Sequence, residues 1–304
     1  MRYGLIIDNT RPVQEVISDV RAMADAGIAT AATSQIFGYD ALTLLAAVGQ
    51  QVPDIELSTA VVPTYPRHPI MLAGQALTVQ SVIGDRLTLG IGLSHQIVIE
   101  GVFGYTFDRP LRHMDDYLHV LMPLLHGEQV SYEGQTLKAS TMGPLDVTAP
   151  APDVLVAALG PKMLTLAGTL ADGTATWMAG RATIETHIAP SITAAADAAG
   201  RKPPRIAAGL PVCVTDDPDR AREQAARAFA IYGQLPSYRA MLDREGADGP
   251  ADVAVVGDEE SVAAQLAALA DAGATEFVAA AYGERAERDR TFALIAELSR
   301  SSSG

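Results

Sequence analysis

The chain has 304 residues, 48% of them hydrophobic, enough to bury the core of one large α/β domain, and a single domain over 1–304 is expected. A formal charge of −14 and a pI near 4.8 repel polyanions at long range, which excludes a general nucleic-acid or anionic-membrane surface and sends any anionic ligand to a local basic spot. Cys213 is the only cysteine, so no internal disulfide and no zinc site of several thiolates can form. No metal is expected, and the cytoplasm fits best. Met1 leads straight into "RYGLIID" with no leader-like segment, and no apolar run reaches membrane length.

In chain order, apolar runs predict strands at 2–8, 29–35, 55–62, 86–92, 153–159, 173–179, 205–215 and 276–283. Most are continuous rather than alternating, the pattern of parallel strands covered on both faces. Helical periodicity falls between them. "RPVQEVISDVRAMADAG" gathers Val13, Val16, Ile17, Val20 and Met23 on one face, and "EESVAAQLAALADAG" does so with Val262, Leu266 and Leu269. The endings "ADAGI", "LADGT" and "ADAGA" each place a glycine where a left-handed C-cap would pass the chain into a strand. Eight strands alternating with helices predict an α/β fold, a (β/α)8 TIM barrel, with a doubly wound sheet as the alternative. The 93–152 connection is a long insertion after strand 4, holding an amphipathic helix and a hairpin-like "VSYEGQTLKAS". In that helix His113, His119 and His126 read as surface or packing residues, as does His187 further on, and Asp115 with Asp116 as a solvated face.

In such barrels the chemistry lies just beyond the C-terminal ends of the strands. "ALGPKM" ends a strand at Gly160 and starts a helix at Pro161, offering free backbone N–H groups and the charge of Lys162 to a phosphate. "MAGRAT" repeats the device with Gly180 and Arg181. The alternative for both is an ordinary helix start. Gly90 and Gly92 leave room either for a planar ligand to approach the strand backbone or for close packing of a helix. His68, in "TYPRHP", and His95, in "GLSHQ", sit at strand ends where an imidazole could meet a ligand. No HExxH, GxSxG or P-loop motif is present.

In this order, "STAVVPTYPRHPIMLAGQALT", "DRLTLGIGLSH", "VAALGPKM" and "ADGTATWMAG" resemble the luciferase-like monooxygenase superfamily, most closely its deazaflavin-dependent branch. The resemblance implies a bacterial-luciferase-like barrel that binds coenzyme F420, or alternatively FMN, at the C-terminal rim, acts on a small-molecule substrate and forms a homodimer. It implies a non-prolyl cis peptide at Ala60–Val61 against the middle of the cofactor ring. Ser34 and Gln35 match positions near that ring, and Gly92, Leu93 and Ser94 a loop at its pyrimidine edge. Ala157, Ala158, Gly160 and Pro161 match a backbone cradle for the phosphate, with Lys162, Gly180 and Arg181 beside it. His95 falls where one branch carries an acidic proton donor, so His95 and Gln35 are the catalytic candidates. The expected activity is F420-dependent hydride transfer to an unsaturated or carbonyl compound. The alternatives are an FMN-dependent monooxygenase and a non-catalytic flavin or F420 carrier.

Overall fold

In the computed structural model, which describes residues 1–302, all eight predicted runs form parallel strands: β1 (Arg2–Ile6), β2 (Thr30–Thr33), β3 (Glu56–Thr59), β4 (Leu87–Gly92), β5 (Asp153–Val156), β6 (Gly173–Trp177), β7 (Arg205–Val214) and β8 (Glu276–Ala281). Each pairs with its neighbours, β6 pairs with β7 and β8 with β1, so the sheet closes into a ring and the doubly wound alternative is excluded. The strands are built for cover on both faces: Leu57, Leu89, Ile91 and Phe277 are wholly buried.

The helices bury the predicted faces: Val16, Ile17, Val20 and Met23 on Val13–Asp25, and Val262, Leu266 and Leu269 on Glu259–Asp271. Gly27 (φ 80°) and Gly273 (φ 108°) take the left-handed conformation expected after these helices. Gly173 does not. It opens β6, and a Cβ there would lie 2.0 Å from the carbonyl oxygen of Arg205, so close strand approach explains this glycine. A short strand, Val255–Gly257, extends the sheet beside β7 and carried no sequence signal beyond three apolar residues.

The 93–152 insertion contains the Pro110–Leu125 helix and an antiparallel hairpin, Ser131–Glu133 with Lys138–Ser140. Asp116 joins the two, contrary to the expectation of a solvated face. It is wholly buried and accepts hydrogen bonds from Tyr132 Oη (2.8 Å), Thr136 N (2.7 Å) and Thr136 Oγ1 (2.8 Å). No local pattern marks this burial, because the partners lie 16 to 20 residues away.

The N-terminal rim is closed by charge. Arg205 binds Glu276 (2.5 Å), Glu56 (2.8 Å), Asp153 (2.8 Å) and Thr88 Oγ1 (2.8 Å). Burial alone would lower its pKa, yet the bonds and charges of Glu276 and Glu56 prevail and raise it. With this end plugged, ligand chemistry belongs to the opposite mouth.

Candidate active site at the C-terminal mouth of the barrel

β3 stops at Thr59, bulges, and resumes as Val62–Pro63 beside β4. The bulge contains a cis peptide bond between Ala60 and Val61, both half-buried at the mouth. Ala60 N donates to Thr33 O (2.8 Å), and Gln35 N donates to Val61 O (3.3 Å). The space beside Gly90 and Gly92, expected for a planar ligand or a packed helix, is taken by the neighbouring strand instead. A Cβ on Gly90 would stand 1.9 Å from Thr59 O, and one on Gly92 2.7 Å from Val61 Cγ2. These glycines therefore seat the bulge itself, which in turn presents the Ala60–Val61 peptide to the mouth.

The "TYPRHP" turn beyond is held in place rather than free. Arg67 pairs with Asp40 and donates to Gln75 Oε1 (2.5 Å), and its carbonyl accepts from Tyr117 Oη (2.9 Å). His68 caps the Pro69–Ile83 helix, its Nδ1 accepting from Ile70 N (3.3 Å). Both residues serve the fold. His113 packs under this turn, stacked on Tyr65 with ring centroids 3.9 Å apart and with Nε2 3.0 Å from Thr64 Oγ1. Burial pushes its pKa down to about 4 against the opposing charge of Asp116.

Beyond β1, Asp8 Oδ1 accepts from Thr10 N (3.1 Å), and Asn9 Nδ2 donates to Ser34 O (2.8 Å) and Thr33 Oγ1 (3.0 Å), fixing the β2 loop. Ser34 and Gln35 are half-buried there. Gln35 Oε1 accepts from Ala41 N (2.7 Å), so its amide oxygen caps the Ala41–Gln51 helix. This removes that oxygen from chemistry and gives the side chain a positioning role. Beyond β4, Leu93, Ser94 and His95 are half-buried, and Ser94 takes a left-handed φ of 62°. The His95 imidazole has no hydrogen-bond partner among the described residues, and burial lowers its pKa, so near neutral pH it is uncharged.

The two helix starts expected to bind an anion differ. At the first, Ala157 N donates to Ile91 O (2.8 Å) and Ala158 N to Thr174 Oγ1 (3.3 Å), while Nε2 of the buried His187 donates to Leu159 O (2.7 Å). The loop is thus fixed from three sides. Gly160, Pro161 and Lys162 are exposed, no side chain caps the Pro161–Leu170 helix, and Lys162 has no ion-pair partner among the described residues. At the second, Ala182 N and Thr183 N already donate to the two carboxylate oxygens of Glu245 (3.0 and 2.8 Å). A Cβ on Gly180 would meet that carboxylate at 2.5 Å. Arg181 is 60% exposed and faces Glu185 at 3.6 Å. Of the two starts expected to meet an anion, the one at Gly160 has no side-chain acceptor on its first N–H groups, and the one at Gly180 has Glu245 on two of them. The ends of β7 and β8 offer no third, because Asp217 caps the Pro218–Ala228 helix and Glu287 accepts from Glu284 N (2.8 Å) and Arg220.

The sequence profile of the luciferase-like monooxygenase family matches residues 4–276. The chain belongs to this family. A "Putative coenzyme F420-dependent oxidoreductase" of Mycobacterium tuberculosis is 32% identical over 193 residues, covering 57% of this chain and 54% of that protein. A 5,10-methylenetetrahydromethanopterin reductase of Methanolobus tindarius is 30% identical over 225 residues, covering 72% of this chain and 65% of that one. The match to both relatives thus spans less than two thirds of their length. Among solved structures, the coenzyme F420-dependent tetrahydromethanopterin reductase of Methanopyrus kandleri superposes with a TM-score of 0.81 at 20% identity, covering 97% of each chain, a likeness of fold.

Within this family fold, on the side of the mouth nearest β6, Trp177 at the strand end leads to two rings that sequence reasoning missed, Tyr232 and Tyr238. Trp177 meets Tyr232 edge-on at 5.7 Å, Tyr232 meets Tyr238 at 5.3 Å, and Tyr238 lies 5.6 Å from His95. Tyr232 and Tyr238 come from 230–245, where no spacing signal marks a barrel element. Only their aromatic character in an otherwise polar stretch could have drawn notice.

Proposed function

We propose that this protein is an oxidoreductase that binds coenzyme F420 at the C-terminal mouth and acts on a small organic substrate carrying a carbonyl or an unsaturated bond. The observation that carries the reading is the uncapped helix start at Gly160, Pro161 and Lys162, where Lys162 has no ion-pair partner among the described residues, on the same rim as the half-buried Ala60–Val61 peptide. In a chain of formal charge −14 this is a local basic spot with free N–H donors, and it fits a phosphate. Ser34, Ala60 and Ala157 are small, half-buried residues at the strand ends, where a flat ring would meet little side-chain bulk. The F420-dependent relatives support the same choice.

When bound, the reduced deazaflavin supplies the hydride. The chain holds and shields. Ser34, Ala60, Val61, Gly92, Leu93 and Ser94 would bound the ring, while Ala157, Ala158, Gly160, Pro161 and Lys162 would hold the phosphate. His95 would offer a proton from its imidazolium to the substrate. Being uncharged at neutral pH, it delivers that proton most readily in mild acid.

The second reading is an FMN-dependent monooxygenase, favoured by the family description itself and by the shared fold of an FMN-bound 3,6-diketocamphane monooxygenase of Pseudomonas putida (TM-score 0.76, 18% identity, covering 99% of this chain and 97% of that one). Titrating the apo-protein with F420 and with FMN, each followed by its own fluorescence, decides. Saturable F420 binding with weaker FMN binding is expected, and the reverse transfers the assignment to the monooxygenase.

A further inference from the structure

The Pro236–Glu245 helix spans the mouth from the end of β6 to the end of β4, and a carboxylate anchors it. Glu245 accepts from Ala182 N (3.0 Å) and Thr183 N (2.8 Å), in space that exists because residue 180 is glycine. Thr183 Oγ1 donates to Met241 O (3.2 Å), and Met241 and Leu242 are buried between these attachments and the barrel. Tyr238 lies two turns before Glu245 on the same helical face. Its ring packs on His95 at 5.6 Å and 58°, and on Tyr232 edge-on. The other polar bonds of this helix, from Arg239 to Asp243, Ala247 O and Asp248 O, stay within the helix and the turn that follows it. Glu245 is therefore the charged side chain that ties the helix to the barrel.

We propose that Glu245 is a positioning residue for the reaction at this mouth: by fixing the helix at Gly180 it holds Tyr238 on His95 and sets the direction from which that imidazole meets the substrate. The role in reaction rests on the function proposed above; the placement of His95 does not. Burial alone lowers the His95 pKa, with no carboxylate or cation contributing, and the titratable ring packed on it, Tyr238, is kept protonated by burial.

The test reads His95 directly. Its imidazole Cε1–H resonance, assigned by its loss in His95→Gln, is followed against pH by NMR in the full chain, together with emission from Trp177, the only tryptophan. Tyr238→Ala is expected to shift the resonance and raise its titration midpoint toward 6.5. Glu245→Ala and Gly180→Ala, whose methyl displaces the carboxylate, are expected to do the same and to make Trp177 more accessible to acrylamide. Glu245→Gln, which keeps one acceptor oxygen, should restore most of the wild-type signal. If Tyr238→Ala moves the resonance while folded Glu245→Ala or Gly180→Ala leaves it in place, the proposal is overturned. Should Glu245→Ala fail to fold, Gly180→Ala compared with Glu245→Gln distinguishes the same two outcomes. Failure of the wild type to bind F420 overturns the function proposed above and leaves these signals to decide the placement.

Discussion

Lys162→Ala and Arg181→Ala separate the two helix starts that look alike in sequence. At the first start the phosphate would meet free N–H groups and one exposed ammonium. A hydrogen bond to a charged group contributes about 1.5–3 kcal/mol, and an exposed, screened position brings this toward about 1 kcal/mol. Lys162→Ala should therefore weaken F420 binding roughly 5- to 10-fold at low salt. At the second start the N–H groups of Ala182 and Thr183 are bonded to Glu245, and the exposed Arg181 lies beside Glu185. Arg181→Ala should change F420 affinity by less than about twofold. Deazaflavin fluorescence titrations at about 0.02 M and 0.5 M salt supply the assay, and the gap between wild type and Lys162→Ala should narrow at the higher salt as the screening length shortens. A loss on Arg181→Ala as large as on Lys162→Ala would refute the assignment of a single cradle and mean that the cofactor displaces Glu245.

His113 should make the fold acid-sensitive. Its folded pKa of about 4 lies below the ordinary 6.5, so the unfolded chain takes up the proton first; stability present above pH 6.5 declines as pH falls toward 4, by at most about 3 kcal/mol. Melting temperatures of wild type and His113→Gln measured from pH 7 to pH 4 should converge, and parallel curves would show that the imidazole is not the cause. Gly90→Ala places a methyl 1.9 Å from Thr59 O and should remove both soluble folded protein and the Ala60–Val61 bulge, whereas a normal melting curve with intact F420 binding would show that β3 and β4 can separate. Arg205→Met leaves the buried Glu276 unpaired and should cost about 3–5 kcal/mol in urea unfolding without altering F420 affinity, because the plug lies at the opposite rim. Gln35→Ala removes the bond to Ala41 N and should cost about 1 kcal/mol, a melting shift of a few degrees.

The sequence by itself determined the elements and their alternation: continuous apolar runs on β1 to β8, separated by one-faced helices, need cover on both faces, and the 93–152 insertion stood out because nothing in it kept that rhythm. A barrel and a doubly wound sheet both meet that need, and the pairing of β8 with β1 decided for the barrel. The positions of the candidate site were legible from the alternation, since every strand end falls on one rim. What individual side chains do was decided by the contacts the fold gives them. Asp116 is buried by a distant hairpin and Gly90 serves the bulge at Ala60 and Val61 on the preceding strand, while Gln35 and His68 are drawn into capping the helices that directly follow them. The sharpest case is the pair "ALGPKM" and "MAGRAT", which offer the same local chemistry. Only the second is met by a carboxylate, from Glu245, more than 60 residues on, because tertiary packing lays the Pro236–Glu245 helix across β6 and leaves β5 open. A free N–H is local, but whether it stays free depends on which distant acceptor the fold brings within 3 Å.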